Sequence, residues 1–336
     1  MIPDAEESKR ILEHYINVGF YSNYSICDGA ICEKVFAKFD EINISYTRAG
    51  TNENTVNLTA VFGVTGINRV IRLPDAYLLG FGKAATTTFY RALSKLLSVQ
   101  LLSKDFCVNY HNFRKLYNGL NVLTSYAKSS GLLFSTCMNK DFFLDEVRLF
   151  PHARRKAFYL IRDVPNFIYA GYNFWCNKID VQCCPGDWVR NLPTAYRTPH
   201  HFHSIVEGEI RSAFSILGLT SWNYKTEIEP IISRISLANV LVLKSETIST
   251  REFWDSFLTF LGITFDRKDL LESFSHRHYN SNARPGSLEF SSADHNRSYS
   301  PMLSETLELI LSYFSPARIF LQKQFNLTYM SKEKVN

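Results

Sequence analysis

The sequence lacks the long apolar runs that a membrane-spanning helix requires. No stretch of about 18 consecutive apolar residues occurs in the 336-residue chain. Residues 1–15 are acidic and polar, and they contain no apolar signal core. We therefore expect a soluble protein of the cytoplasm that does not bind a membrane.

Dense positive charge is also missing. The formal net charge is only +5, and the one tight basic run is Arg154-Arg155-Lys156. A nucleic-acid-binding protein usually carries a stripe of Lys and Arg, so we expect no nucleic-acid partner. The basic run itself predicts a solvated turn before a strand. A mildly positive balance remains compatible with a small anionic ligand.

Paired cysteine spacing is absent as well. The number of cysteines is odd and their separations are irregular, which argues against a secreted disulfide framework. No two CxxC pairs occur, so the sequence predicts neither a structural zinc site nor any other metal site. The seven cysteines are Cys27, Cys32, Cys107, Cys137, Cys176, Cys183 and Cys184.

The chain does have enough apolar residues, 46% of the total, to bury a sizeable core. Residues 1–73 differ from the rest, because a helix-like stretch around Ile11 and Tyr15 is followed by short alternating runs such as Val56–Phe62. We predict an N-terminal extension or small subdomain over residues 1–73 and a catalytic domain over residues 74–330.

From Leu73 onwards, short apolar runs alternate with segments of helical spacing. This alternation predicts an α/β fold of three layers, in which helices flank a central, mostly parallel sheet. Ligands bind such sheets beyond the carboxyl ends of the strands. The predicted strands are Ala76–Gly80, Ala157–Ile161 and Val240–Leu243; the predicted helices are Thr86–Leu97, His203–Leu217, Thr250–Leu261 and Leu303–Phe325, the last interrupted at Pro316.

The loop after the first predicted strand is suited to phosphate or sulfate. It reads Gly-Phe-Gly-Lys-Ala-Ala-Thr-Thr-Thr over residues 80–88. Its glycines permit a tight turn, and the free N–H groups of a helix start attract an anion. A Walker A loop is excluded, because Tyr77 replaces the first glycine and Ala84 follows Lys83. Taken alone, the loop also fits a simple strand-to-helix turn.

The segment Tyr77–Tyr90 resembles the donor loop of sulfotransferases that use PAPS (3′-phosphoadenosine 5′-phosphosulfate). Within this family, the loop is most similar to that of the carbohydrate, Golgi-type branch, which has GalNAc- and heparan-like members. The resemblance implies the P-loop-like sulfotransferase fold, with Lys83 as the catalytic lysine. It departs from the family where Ala85 replaces the usual glycine. The residues implied to cradle the 5′-phosphosulfate are Gly82, Lys83, Ala84, Ala85, Thr86, Thr87 and Thr88.

Two later segments extend the resemblance. The segment Lys156–Trp175 is similar to the family's 3′-phosphate segment, which implies that Arg162 pairs with the donor's 3′-phosphate. Ala170 stands where the family has serine. Asp163 could cap the helix that follows, with Pro165 in its first turn. By a looser similarity, Arg284 and Gly286 would contact donor phosphates or adenine.

Sulfuryl transfer also requires a base that activates the acceptor. The sequence offers Asp105 as the first candidate and His111 as the second. A histidine cluster, His200, His201 and His203, is interpreted as a polar helix face and not as a catalytic or metal site.

Other functions remain open at this point. A nucleotide-dependent kinase or NTPase would need magnesium, whereas the sulfotransferase reaction would not. A binding protein that retains PAP(S) without turnover is the other alternative, because Ala85 and Ala170 depart from the family pattern. The acceptor, a hydroxyl or amine on a carbohydrate or small molecule, is left open, and so is the oligomeric state.

Overall fold

The structure is a computed structural model, and it describes most of the region from residue 42 to residue 327. The described residues are 42–62, 65–80, 86–94, 99–104, 106–111, 113–137, 139–165, 168–169, 172, 198–211, 219, 223–263 and 301–327. The helix-like stretch predicted near Ile11 lies outside them. No helix within these residues is both long and apolar enough to cross a membrane.

Three antiparallel strands precede the parallel sheet. They are β1 (Ile42–Arg48), β2 (Thr55–Phe62) and β3 (Thr65–Arg72), arranged in that order. Alternate residues of the central strand, such as Val56 and Leu58, are fully buried. Period-two alternation with one buried face is the expected pattern of an antiparallel sheet that covers a core on one side.

Five strands form the central parallel sheet in the order β5-β6-β4-β7-β8. Strands β4 and β7 are almost completely buried along their length, as expected for a parallel sheet covered on both faces. The α/β architecture predicted from the sequence is therefore confirmed. The strands are β4 (Ala76–Gly80), β5 (Val99–Leu101), β6 (Leu132–Ser135), β7 (Lys156–Ile161) and β8 (Val240–Lys244).

Eight helices have bounds within the described residues. Where the sequence predicted a helix from Thr250, Thr250 is instead the N-cap, and its Oγ1 accepts from the N–H of Phe253 at 3.3 Å. The interruption predicted at Pro316 is present, because Phe314 separates the last two helices and Pro316 lies in the first turn of the second. The helices are α1 (Thr86–Leu93), α2 (Phe113–Ser125), α3 (Lys140–Leu149), α4 (Pro199–Arg211), α5 (Tyr224–Ile235), α6 (Arg251–Leu261), α7 (Ser304–Tyr313) and α8 (Ser315–Phe325).

The chain divides into two compact units. The first unit comprises residues 1–77 and 98–155, and the second comprises residues 78–97 and 156–336. Strand β4 begins in the first unit and ends in the second. Compact units need not coincide with domains along the sequence, so the division at residue 73 stays a prediction.

Each unit has its own core. In the first unit, apolar residues of β2, β3, α2 and β6 form one buried cluster that extends to Phe150. In the second unit, aromatic rings from α1, β7 and α6 pack with centroids about 5–6 Å apart, the separation favoured by aromatic pairs. The rings in this second cluster are Phe89, Phe158, Phe253, Trp254 and Phe257.

Candidate functional site

The predicted phosphate loop leaves the sheet at Gly80, the last residue of β4. Gly80 has a φ of +118°, a backbone conformation that residues with a Cβ rarely adopt. A Cβ at this position would also lie 3.1 Å from Cδ1 of Tyr159 on β7. The close approach and the positive φ together require glycine here, as the sequence pattern indicated for this turn.

Helix α1 begins at Thr86, on the far side of the loop. Thr86 is buried, whereas Thr87 and Thr88 in the same turn are partly exposed. Phe89 anchors the helix in the core. The centroid of its ring lies 5.0 Å from that of Phe158 and 5.7 Å from that of Trp254, on which it stacks. The first turn of α1 is therefore held against β7 and α6, and Thr87 and Thr88 are its partly exposed threonines.

Arg162 follows β7 directly, and its backbone N–H and carbonyl are both hydrogen-bonded. The N–H of Arg162 donates to Oη of Tyr224 at 3.0 Å, and the Tyr224 hydroxyl donates to the Arg162 carbonyl at 2.7 Å. Burial raises the pKa of Tyr224, so its phenol stays protonated and able to donate. The next N–H, of Asp163, donates to Oε1 of Glu246 at 3.2 Å. The turn is thus held by side chains from α5 and from the turn after β8.

Sequence reasoning missed Tyr224 and Glu246. Each lies more than 60 residues from the turn that it holds, and no local pattern announces such a contact. Asn223 is the N-cap of α5, and its Oδ1 accepts from the backbone N–H of Lys225. An asparagine at this position could have indicated that Tyr224 begins a helix. It could not have indicated that Tyr224 lies beside Arg162. The helix predicted after Asp163 agrees with the described residues there, because Val164, Pro165, Ile168, Tyr169 and Tyr172 are helical.

The ends of β4 and β7 form one edge suited to an anion. The two strands are neighbours in the sheet, so the loop after Gly80 and the turn at Arg162 begin side by side. A helix start offers free N–H groups and the positive end of the helix dipole. Arg162 is partly exposed and adds a guanidinium, which binds phosphate in a forked geometry.

Several predicted site residues fall outside the described residues. Their roles therefore remain predictions. They are Gly82, Lys83, Ala84, Ala85, Asp105, Arg284 and Gly286.

The candidate base His111 lies in the first unit, just before α2. Its Nε2 is 2.8 Å from Oδ2 of Asp145, and its side chain is 69% exposed. Asp145 also accepts from Arg148 at 3.3 Å. A carboxylate that holds one ring nitrogen fixes the orientation of a histidine, as it does in catalytic dyads, but the same contact serves an ordinary surface ion pair.

The histidines of α4 bind neighbouring hydroxyl groups. Nδ1 of His201 is 2.7 Å from the hydroxyl of Tyr172, and Nδ1 of His203 is 2.8 Å from Oγ1 of Thr306. Burial lowers the pKa of His201 and so favours the neutral form of its ring. Within the described residues no group of three or more His, Cys, Asp or Glu side chains could hold a metal ion.

A second polar cluster is enclosed in the first unit around Glu146 on α3. Glu146 accepts from the hydroxyl of Tyr77, from the hydroxyl of Tyr110 at 2.9 Å and from Nε of Arg155 at 3.1 Å. Arg155 also donates to the carbonyl of Phe150 at 2.8 Å. The side chains of Arg155 and Glu146 are only 1% and 5% exposed. The prediction that the basic run at 154–156 is solvated is therefore wrong for Arg155.

One disulfide bond occurs among the described residues, between Cys107 and Cys137. The sequence did not predict it, because 30 residues separate the two cysteines and their spacing fits no motif. Cys107 lies in the loop after β5, and Cys137 follows β6. Their Cα atoms are 4.9 Å apart, so the fold brings the two loops together.

No family model matches the sequence, and no curated protein matches it. Solved structures show a distant likeness. A sulfotransferase from Alicyclobacillus acidocaldarius is 13% identical, with a TM-score of 0.46 over 76% of this chain and 97% of its own. Mouse sulfotransferase SULT7A1, solved with PAP, is 14% identical, with a TM-score of 0.39 over 79% and 86%. The sulfotransferase domain of the Synechococcus PCC 7002 olefin synthase is 11% identical, with a TM-score of 0.41 over 80% and 98%.

Proposed function

We propose that this chain is a sulfotransferase that moves a sulfuryl group from PAPS to a hydroxyl or amine acceptor. One observation carries the proposal. The Gly80 loop with the start of α1, and the turn at Arg162, leave neighbouring strands at the same edge of the sheet. These are the two segments that resemble the 5′-phosphosulfate and 3′-phosphate segments of PAPS-dependent sulfotransferases.

The residues at this edge fit a doubly phosphorylated donor. The first turn of α1 would offer N–H groups, and the partly exposed residues Thr87 and Thr88 would offer hydroxyls, to one anionic group. Arg162 offers a guanidinium to a second anionic group. By the resemblance, Lys83 steadies the charge that develops on the leaving phosphate oxygen, and it can donate a proton there. Arg284 and Gly286 complete the proposed donor site.

The acceptor requires a base within hydrogen-bond reach of its proton. We propose Asp105 for this role, with His111 as the alternative. His111 carries the Asp145 contact that would orient its ring. The reaction needs only in-line positioning and charge stabilisation, so the proposal requires no metal ion. A carbohydrate or small molecule is the proposed acceptor class, in line with the carbohydrate-type donor loop.

The proposed location is the cytoplasm, and the Cys107–Cys137 bond bears on it. Disulfides persist in oxidising compartments, whereas those of cytosolic proteins are usually transient and catalytic or redox-sensing. A cytoplasmic location therefore implies that this bond is exchangeable.

The proposed function is tested by calorimetric titration of PAP, the desulfated donor, in the absence of magnesium. Wild type should bind, and both Lys83→Ala and Arg162→Ala should bind at least tenfold more weakly, because a hydrogen bond to a charged group contributes about 1.5–3 kcal/mol. Arg154→Ala is the matched control, since Arg154 lies in the first unit, and its side chain is 86% exposed and forms an ion pair with Glu53.

A folded wild-type protein that does not bind PAP contradicts the proposed function. The next titration would then use ATP with magnesium, which tests the kinase or NTPase alternative. Binding of PAP that is unchanged in both variants would place the donor at some other site, and the roles of Lys83 and Arg162 would be wrong.

A further inference from the structure

One face of the sheet formed by β1, β2 and β3 is turned away from the core of the first unit. Strand β2 buries Val56, Leu58 and Ala60 on its inner face, so the residues between them are on the outer face. The antiparallel register places the outer residues of β1 beside those of β2. The outer residues of these two strands, from Asn43 onwards, are Asn43, Ser45, Thr47, Asn57, Thr59 and Val61.

These outer residues include no charged side chain. The same holds for Asn68 and Val70, which β3 adds to the face. Arg72 lies at the end of this face, but it is 3% exposed and pairs with Asp75. The exposed part of the described face is therefore polar or apolar throughout, and Val61 and Val70 are 41% and 44% exposed.

An uncharged face is unusual protection for this sheet. Strands β1 and β3 are both edge strands, because the order of the sheet is β1-β2-β3. Proteins commonly protect edge strands with charged side chains, above all Lys, against pairing with other chains. On the outer face, another polar group would have to take over this protection.

Two acceptor triplets for N-linked glycans lie on this face. They are Asn43-Ile44-Ser45 on β1 and Asn57-Leu58-Thr59 on β2, and both fit the pattern Asn-x-Ser/Thr. Side chains two residues apart on a strand share a face, so the asparagine and the hydroxyl residue of each triplet are both on the outer side. Asn43 is exposed and Asn57 is partly exposed, as an acceptor has to be.

The spacing of the two asparagines allows each to carry a glycan of its own. Asn43 is paired with Val61, and Asn57 lies four residues before Val61 on β2. At about 3.4 Å per residue, the two acceptors are about 14 Å apart along the face. Two bulky, polar glycans at this spacing would cover the exposed positions between them.

We propose that Asn43 and Asn57 are N-glycosylation sites whose glycans cover the uncharged outer face of the sheet β1-β2-β3. This inference goes beyond the proposed function and does not depend on it, because neither residue belongs to the proposed donor site. The ligand class is an oligosaccharide, held by a covalent bond to each asparagine.

The modification is a balanced group transfer. The co-substrate is an oligosaccharide linked to a lipid pyrophosphate, and a transferase of the cell catalyses the step. Nδ2 of the asparagine forms a bond to C1 of the first sugar, and the bond between C1 and the pyrophosphate oxygen breaks. The lipid pyrophosphate leaves with the bonding electron pair, and the amide loses one proton. No oxidant or reductant takes part.

The disulfide bond of the first unit is consistent with this modification. N-glycosylated proteins follow the secretory route, and disulfides persist in the oxidising lumen of that route. The Cys107–Cys137 bond lies in the same compact unit as the sheet. The bond and the two triplets therefore indicate the same compartment, and the inference is an alternative to the cytoplasmic location proposed above.

Peptide mass spectrometry tests the two sites in the full chain, isolated from the cells that make it. Peptide N-glycosidase converts each glycosylated asparagine to aspartate, so we expect aspartate at positions 43 and 57 only after this treatment. Ser45→Ala and Thr59→Ala, made in the same cells, should each lose one glycan, because each removes the hydroxyl of one triplet. Thr47→Ala is the matched control, since Thr47 is on the same face but completes no triplet, and it should keep both glycans.

Sedimentation velocity tests whether the glycans cover the face. After removal of the glycans from the folded protein, the sedimentation coefficient should increase more steeply with concentration than before, because the uncharged face is then open to other copies. Val61→Thr with Val70→Thr should reduce this increase.

Asparagine that is unmodified at both positions in the isolated protein overturns the inference, and modification at only one position overturns the other site. Equal sedimentation before and after removal of the glycans overturns the claim that they cover the face. Titration of PAP into the same protein keeps the two proposals apart. Unmodified protein that binds PAP retains the proposed function and loses the inference, whereas glycosylated protein that does not bind PAP does the reverse.

Discussion

Two charged groups, one in each compact unit, have opposite surroundings. In the first unit, Glu146 is enclosed and receives hydrogen bonds from Tyr77, Tyr110 and Arg155. In the second unit, Arg162 is partly exposed at the end of β7, and the buried hydroxyl of Tyr224 forms hydrogen bonds with its backbone. The Glu146 cluster is enclosed by protein groups, whereas at Arg162 the backbone is hydrogen-bonded by a buried phenol and the residue itself is partly exposed.

This difference separates a structural cluster from a binding site. A buried charge is tolerated only when it is paired and hydrogen-bonded, and removal of one partner then leaves the other uncompensated. The enclosed Glu146 also raises the pKa of Tyr77, after burial itself, so that this phenol remains a donor. A guanidinium at an open edge can instead exchange water for a phosphate. We therefore expect stability to depend on the first cluster and donor affinity on the second.

The largest predicted effect follows from removal of Arg155. Arg155→Met should lower the free energy of unfolding by about 3–5 kcal/mol, because Glu146 would remain buried without its cation. Urea unfolding followed by circular dichroism measures this change. Arg154→Met is the matched control, since this neighbour is 86% exposed and its ion pair with Glu53 should contribute at most about 1 kcal/mol.

Equal effects of the two substitutions would contradict the idea that the Glu146 cluster stabilises the first unit. A double variant, Glu146→Leu with Arg155→Met, sharpens the comparison. It removes both charges, so it should be less destabilising than Arg155→Met alone, because no buried charge is left unpaired.

A smaller effect is predicted for the turn at Arg162. Tyr224→Phe removes both hydrogen bonds to the Arg162 backbone, which should cost about 1–3 kcal/mol of stability. If Tyr224 only stabilises the turn, the substitution should leave PAP binding unchanged. A positioning role predicts in addition that PAP binds about tenfold more weakly, equivalent to about 1.4 kcal/mol. Binding of AMP, which lacks the 3′-phosphate that Arg162 is proposed to hold, should be unchanged.

Tyr126→Phe is the control for loss of a phenol. The Tyr126 hydroxyl donates to the carbonyl of Leu101 at 3.3 Å in the first unit, and its removal should not alter PAP binding. If Tyr224→Phe weakens PAP and AMP equally, its effect does not act through the 3′-phosphate. If neither titration changes, Tyr224 stabilises the turn without positioning Arg162.

The sequence predicted the strands and loops of the proposed donor site because their signals are local. Apolar runs marked β4 and β7, and glycine marked the turn at residue 80. The environment of Arg155 could not be predicted, because its partner Glu146 lies on α3, a helix that the sequence analysis did not identify. In the run Arg154-Arg155-Lys156, one side chain is exposed and the next is enclosed, and only tertiary packing decides which.

Contacts between distant segments account for the other omissions. Cysteine spacing along the chain contains no information on whether two cysteines approach within bonding distance, so the Cys107–Cys137 bond required the fold. Tyr224 is equally remote from Arg162 in sequence. Long-range side-chain contacts of this kind depend on how strands and helices are ordered in space, which the sheet order β5-β6-β4-β7-β8 determines.

The smallest predicted effect is a loss of stability under acid conditions, to which one histidine from each unit contributes. Burial lowers the pKa of His201 below its ordinary value of 6.5, and burial together with Arg48 and Arg155 lowers that of His152. Near and below pH 6.5 these two histidines therefore bind more protons in the unfolded chain than in the folded one, and their contribution to the free energy of unfolding should decrease as the pH falls. Urea midpoints measured between pH 7.5 and about pH 5 test this slope.

Substitution and salt distinguish the two contributions. His201→Asn and His152→Asn should each make the stability less dependent on pH, because the group that binds the extra proton in the unfolded chain is removed. The asparagine Oδ1 can still accept from the hydroxyl of Tyr172 or Tyr46, the partners of the two rings. Added salt should weaken only the His152 contribution, because the charge of the exposed Arg48 is screened whereas burial is not. A pH dependence that is the same in wild type and both variants would mean that acid sensitivity arises elsewhere in the chain.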